Sequence, residues 1–101
     1  MKRTKNSDKV LIEVTEKDIK MGKKGDGYSC PIARAIKRAL RKKITVHSNG
    51  VYSIYNFSKV MYKISLEARL FIDQFDRGNS VKPIKFYIKY VNVKNPIIFS
   101  I

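Results

Sequence analysis

The sequence predicts a small α+β domain, a mainly antiparallel sheet carrying two helices in the order β-α-β-β-β-α-β. Three observations lead there. Several short segments alternate apolar and polar residues with a period of two, as strands do. Two longer segments repeat apolar residues at i, i+3, i+4 and i+7, as core-facing helices do. Asn49-Gly50, set between alternating segments, is the strongest short-range hairpin signal available. A chain of 101 residues has room for one modest core, so the expectation is a single domain over residues 10–101 behind a flexible basic arm at 1–9.

The elements follow in order. The arm, MKRTKNSDK, has no apolar run behind its charges, so no secretory signal is expected. In KVLIEVT, Val10, Ile12 and Val14 alternate with Leu11, Glu13 and Thr15 as a strand. Thr15 and Asp18 have the spacing of a capping box for a short turn through EKDIKM, which Gly22 stops. GKKGDGYS is loop. A helix then runs over 31–43, with Pro31 in its first turn and Ile32, Ala35, Ile36, Ala39 and Leu40 as its core stripe.

KITVHSNGVYSIYNF makes two strands around Ser48-Asn49-Gly50. SKVMYKI makes a third, with Val60, Tyr62 and Ile64 on one face and Met61 and Lys63 on the other. Ser65 caps the second helix, LEARLFIDQFDR. Its core stripe is Leu70, Phe71 and Phe75 with Ala68 and Ile72 alongside, and Gly78 stands where a left-handed residue is wanted. In the last strand, KPIKFYIKYV, the residues Ile84, Phe86, Ile88 and Tyr90 point inward and Lys85, Tyr87 and Lys89 outward. KNPIIFSI adds an edge segment or a docked tail. Both helices are expected on one face of the sheet, leaving the other face partly open to solvent.

Charge is the strongest functional signal. Lys and Arg number 22 against 8 acids, a formal net charge of +14, and a folded chain this small relieves such self-repulsion by binding a polyanion. The stretch CPIARAIKRALRKK places six cations in fourteen residues. Arg34, Lys37, Arg38, Arg41 and Lys42 fall opposite the apolar stripe with no acid among them, whereas surface helices ordinarily mix signs. Their span of roughly 12 Å matches several phosphates along one strand. Lys23 and Lys24 in the glycine-rich loop, and Lys2, Arg3 and Lys5 in the arm, extend the bias. A second candidate surface is the outer sheet face, where Lys85, Tyr87 and Lys89 alternate, with Tyr52 or Tyr55 beside them. If helix and sheet face opposite ways, they do not share one ligand.

Catalysis and metal binding find little support. Cys30, at the positive end of a helix, has the environment of an activated thiol. The one histidine, His47, is expected to face away from that helix tip, which leaves the thiol without a base. As a packing residue Cys30 needs no base. A single cysteine excludes a disulfide framework and any Cys-rich zinc site. Asp73, Asp76 and Glu67 read as helix-surface acids, with Asp76 suited to tying down the turn before Gly78. GKKGDG lacks the spacing of a phosphate-binding P-loop. No cofactor, metal or catalytic residue is expected. No apolar stretch is long enough to span a membrane, so a cytoplasmic protein is the expectation, in the host cytoplasm if viral.

VTEKDI, CPIARAI and EARLFIDQFDRGNSVKPIKFYI together resemble a family of small uncharacterised proteins of bacterial and phage genomes. Its pattern is a C-P-I-A box followed by E-A-x-x-F-I-x-x-F-D-x-G-x-x-V-x-P, matched here between Val10 and Ile88. The resemblance implies a common fold and assigns no activity. The expected function is non-enzymatic binding of nucleic acid, DNA or RNA, by the basic face of the 31–43 helix. The alternatives are a small phage-type anti-defence (anti-CRISPR-like) inhibitor docking on a host protein or nucleoprotein, and a subunit that dimerises through its sheet.

Overall fold

The computed structural model describes residues 9–47 and 49–91, with the backbone alone at 56–59. The arm at 1–8 and the closing KNPIIFSI segment lie outside the described residues. Lys9–Val14 form β1, so Lys9, expected in the arm, opens the sheet instead. Thr15 caps α1, Glu16–Met21, a short helix where only a turn was expected, which adds one element to the predicted order. The Thr15 hydroxyl accepts from the Asp18 N–H at 3.2 Å, and the Asp18 carboxylate accepts from the Thr15 N–H at 2.9 Å. Two orphan donors of the helix start are satisfied by that exchange. Gly22 ends α1 in extended rather than left-handed conformation. Glycine is needed there for space, because a methyl group would sit 2.6 Å from the Pro31 ring.

Pro31–Leu40 form α2, capped by Cys30. Ile32, Ala33, Ala35 and Ile36 are buried and Leu40 partly so, while Ala39, expected in the stripe, is exposed. The helix stops three residues short of the predicted Lys43, because Arg41 turns left-handed at φ 57°. That reversal delivers Ile44, fully buried, into β2, Ile44–His47. β3, Gly50–Ser53, pairs back on it with His47 opposite Gly50, so Gly50, expected in the turn, already belongs to the strand. A methyl at Gly50 would lie 2.3 Å from Val60 Cγ2, so that glycine serves the close approach of the next strand.

The chain continues through β4, Asn56–Lys63, then α3, Leu66–Asp76, and β5, Ile84–Tyr90. Ser65 caps α3 as predicted. At its far end the Gly78 N–H donates to the Phe75 carbonyl and the Asn79 N–H to the Gln74 carbonyl, with Gly78 at φ 84°. These two bonds make a Schellman closure, which requires the left-handed residue at that position. Ala68, Phe71 and Phe75 are buried, and Leu70 is 54% exposed rather than in the core. Two residues are more than half a turn of helix, so Leu70 stands on the far side from Ala68, outside the stripe that Ala68, Phe71 and Phe75 define.

The strands form one antiparallel sheet in the order β1-β5-β4-β3-β2. First and last strands pair, with Val10 opposite Ile88, Ile12 opposite Phe86 and Val14 opposite Ile84 on the inner face. Those side chains join Tyr62, Val51, Ile44 and Val46 in a single cluster with the buried residues of α2 and α3. Tyr90, predicted inward, is 46% exposed; it lies past the cluster with its ring edge-on to Tyr62 at 5.5 Å. The outer face of β1 and β5 carries the other half of the register: Lys9 opposite Lys89, Leu11 opposite Tyr87, Glu13 opposite Lys85.

Candidate nucleic-acid interface

The predicted cationic face of α2 divides in two. Arg34 and Arg38 turn onto Asp18, whose side chain is only 1% exposed. Arg38 forks onto the carboxylate, Nη1 to Oδ1 at 2.9 Å and Nη2 to Oδ2 at 2.7 Å. Arg34 Nε adds a bond to Oδ1 at 3.3 Å. Arg38 Nη2 also reaches the Glu13 carbonyl of β1 at 3.0 Å. Burial pushes the Asp18 carboxyl up, but the Arg38 hydrogen bonds, the Thr15 N–H and the Arg38 charge outweigh it and hold the group at about 2. The hydrogen bond to Asp18 raises the Arg38 guanidinium in turn. Lys37 donates from Nζ to the Tyr28 carbonyl. Three of the five predicted cations are therefore engaged in holding α1, β1 and the 23–29 loop to α2.

The other two, Arg41 and Lys42, are exposed but lie beyond the helix, in the turn that leads to β2. Lys23 and Lys24 are exposed in the loop. A methyl at Gly78 would stand 3.1 Å from Lys24 Nζ, so that ammonium sits at the C-terminal end of α3, where the helix dipole favours it. The helix face is thus not a free row of five charges.

The outer sheet face is freer than the sequence alone could suggest. Lys85, Tyr87 and Lys89 are exposed, as expected of their alternation. The pairings add residues that sequence reasoning left out. Lys89 stands opposite Lys9 on β1 and opposite Lys63 on β4. Lys9, Lys89 and Lys63 thus form one row across three adjacent strands, about 10 Å wide at the usual strand spacing, with no acid in it. Like charges directly across a sheet oppose its stability. Two residues along β5, Tyr87 faces Leu11, and both are exposed, 57% and 41%. Lys9 Nζ stands 6.0 Å from the centre of the Tyr87 ring. Two residues further, Lys85 faces Glu13, a pair of opposite sign that closes the cationic region. Tyr52 does not join: Val51 beside it is level with Tyr62 and Tyr90, which puts Tyr52 four residues, about 14 Å, along the strands from Tyr87.

Cys30 serves as the α2 cap, its Sγ accepting from the Ala33 N–H at 3.4 Å. Burial pushes its thiol up, the opposite of what a thiolate nucleophile needs. His47, expected to face away, lines the same cleft of about 300 Å³ as Cys30, together with Asp26, Ile72 and Asp76. Its ring meets Tyr52 edge-on at 5.3 Å. Asp76 accepts from the Gly25 N–H at 2.8 Å, tying the glycine loop to α3 rather than closing the Gly78 turn, and Asp73 pairs with Arg77. Among the described residues no group of three His, Cys, Asp or Glu side chains could hold a metal ion, and no helix is long and apolar enough to cross a membrane. Comparison with protein-family models, curated proteins and solved structures finds no match to this chain.

Proposed function

We propose that this chain is a non-enzymatic nucleic-acid-binding protein that holds its ligand by charge. The observation that carries this reading is the acid-free row Lys9, Lys89 and Lys63 on the open face of the sheet. Such a row opposes folding by itself and is relieved when phosphates lie along it, with counterions released. The arm residues Lys2, Arg3 and Lys5 precede Lys9 in the sequence and add to the positive charge of the chain. The buried, protonated Cys30 supports the absence of nucleophilic chemistry.

Fluorescence anisotropy with labelled DNA and RNA tests the proposal. Replacing the three lysines together by Gln is expected to flatten the slope of log affinity against log salt by about 2 to 3, at 0.7 to 0.9 per phosphate contact. Equivalently, the native protein loses roughly 20- to 40-fold more affinity than the variant between about 50 and 200 mM salt. No binding at about 50 mM salt, or binding that ignores salt, rules the proposal out and redirects attention to an acidic protein surface. Charge reversal at Arg34 and Arg38 is the wrong test, because it would strand the buried Asp18 and confound binding with folding.

A further inference from the structure

We infer that the outer face of β1, β5 and β4 is a platform for single-stranded nucleic acid, on which a base stacks against Tyr87 while its neighbouring phosphates lie on the Lys9–Lys89–Lys63 row. The inference rests on the nucleic-acid reading above and names the ligand form. A lysine row alone would serve a duplex as well as a single strand, so what distinguishes them is the residue pair beside it. Tyr87 and Leu11 face each other across the strand pair, both exposed on the open face of the sheet. A duplex keeps its bases stacked on one another and offers a flat surface only phosphates and groove edges, against which an exposed tyrosine and leucine gain nothing. A single strand can splay a base onto an aromatic ring, and every base has a face that stacks.

The spacing fits one nucleotide. The ring of Tyr87 and the ammonium of Lys9 are 6.0 Å apart, and the lysine row is two residues, about 7 Å, along the strand from the tyrosine. A phosphate on the row and a base on the ring are therefore separated by about the reach of one sugar. The Glu13–Lys85 pair, two residues past Tyr87, carries no net charge and ends the track in that direction. The strand accordingly runs across the sheet along the lysine row, with a base directed along β5 onto Tyr87.

Three substitutions at one exposed position test this. Tyr87→Thr keeps a strand-forming residue and removes the ring; Tyr87→Phe keeps the ring. The chain contains no tryptophan, so Tyr87→Trp introduces a single reporter. Labelled dT oligomers and a duplex of the same length serve as probes at about 50 mM salt. Tyr87→Thr is expected to weaken binding of the dT oligomer about 5- to 150-fold, the loss of one stacked base, and to leave duplex binding within about twofold. Tyr87→Phe should stay within about threefold of the native protein, and the fluorescence of Tyr87→Trp should be quenched on saturation with dT. If nucleic acid binds but Tyr87→Thr changes neither probe, or the bound tryptophan is not quenched, the platform is wrong while the charge-based proposal stands. If neither probe binds, both fall together.

Discussion

Asp18→Asn is expected to remove about 2 kcal/mol of folding stability at neutral pH, and to do so only while the native carboxylate is charged. Asp18 carries a negative charge in a 1% exposed side chain, held by two guanidinium groups and the Thr15 N–H. Its carboxyl sits at about 2 in the folded chain, against 3.8 for a free group. At about 1.36 kcal/mol per tenfold change in proton affinity, that difference corresponds to ~2.4 kcal/mol. Arg34 and Arg38 keep 31% and 52% of their side chains in water, so once released they hydrate instead of being stranded. The loss is therefore about 2 kcal/mol, below the roughly 3–5 kcal/mol of a fully buried broken pair. Because folding lowers this group below its unfolded value, the stabilisation is complete above about pH 4–5. It is lost as pH falls toward the folded value, with roughly 2 kcal/mol gone by pH 2. The assay is urea unfolding of native and Asp18→Asn proteins, followed by circular dichroism, at pH 7, 5, 3 and 2. The two stabilities should differ by about 2 kcal/mol at pH 7 and converge by pH 2, other acids contributing equally to both. A gap under about 0.5 kcal/mol at pH 7, or one that persists at pH 2, would refute the charged clamp.

Two further outcomes follow from the backbone and the thiol. Arg41 holds a left-handed conformation that glycine adopts freely, so Arg41→Gly is expected to gain about 1 kcal/mol and raise the melting midpoint by about 4–8 °C; an unchanged or lower midpoint would mean the Arg41 side chain has contacts that offset the strain. Cys30, buried and raised in pKa, should react with an aromatic disulfide reagent at least about a hundredfold more slowly in the native protein than in urea, and a fast native reaction would reopen the case for a nucleophile.

What the chain revealed in advance were the features confined to one turn. The Thr15–Asp18 exchange, the Ser65 cap and the left-handed Gly78 each depend on residues three to five apart, and each formed as read. The end of α2 was not legible, because the turn at Arg41 uses no glycine, proline or asparagine. Nor was the fate of Arg34 and Arg38. Within their own helix they have no acid, and the partner that claims them lies 16 and 20 residues earlier on α1. The lysine row was hidden for the same physical reason on a larger scale. Lys9 and Lys89 are 80 positions apart and meet only because the first strand pairs with the last. Alternation along β5 was enough to turn Lys85, Tyr87 and Lys89 outward. It takes the order of strands to say who stands beside them.

The bond from Arg38 to the Glu13 carbonyl has a consequence for how the molecules meet one another. Among the described residues β1 and β2 are the two edges of the sheet, and an edge with free carbonyls and N–H groups is a template on which a second chain can add a strand. On β1 the guanidinium of Arg38 occupies the outward carbonyl of Glu13. On β2 the outward N–H of Val46 donates to the Gly27 carbonyl at 2.9 Å, so the glycine loop lies along that edge. Each of these two strands thus has one outward backbone group taken by a piece of its own chain. Protonating Asp18 releases the partner that holds the Arg38 guanidinium in place, and so frees that β1 carbonyl along with loosening the fold.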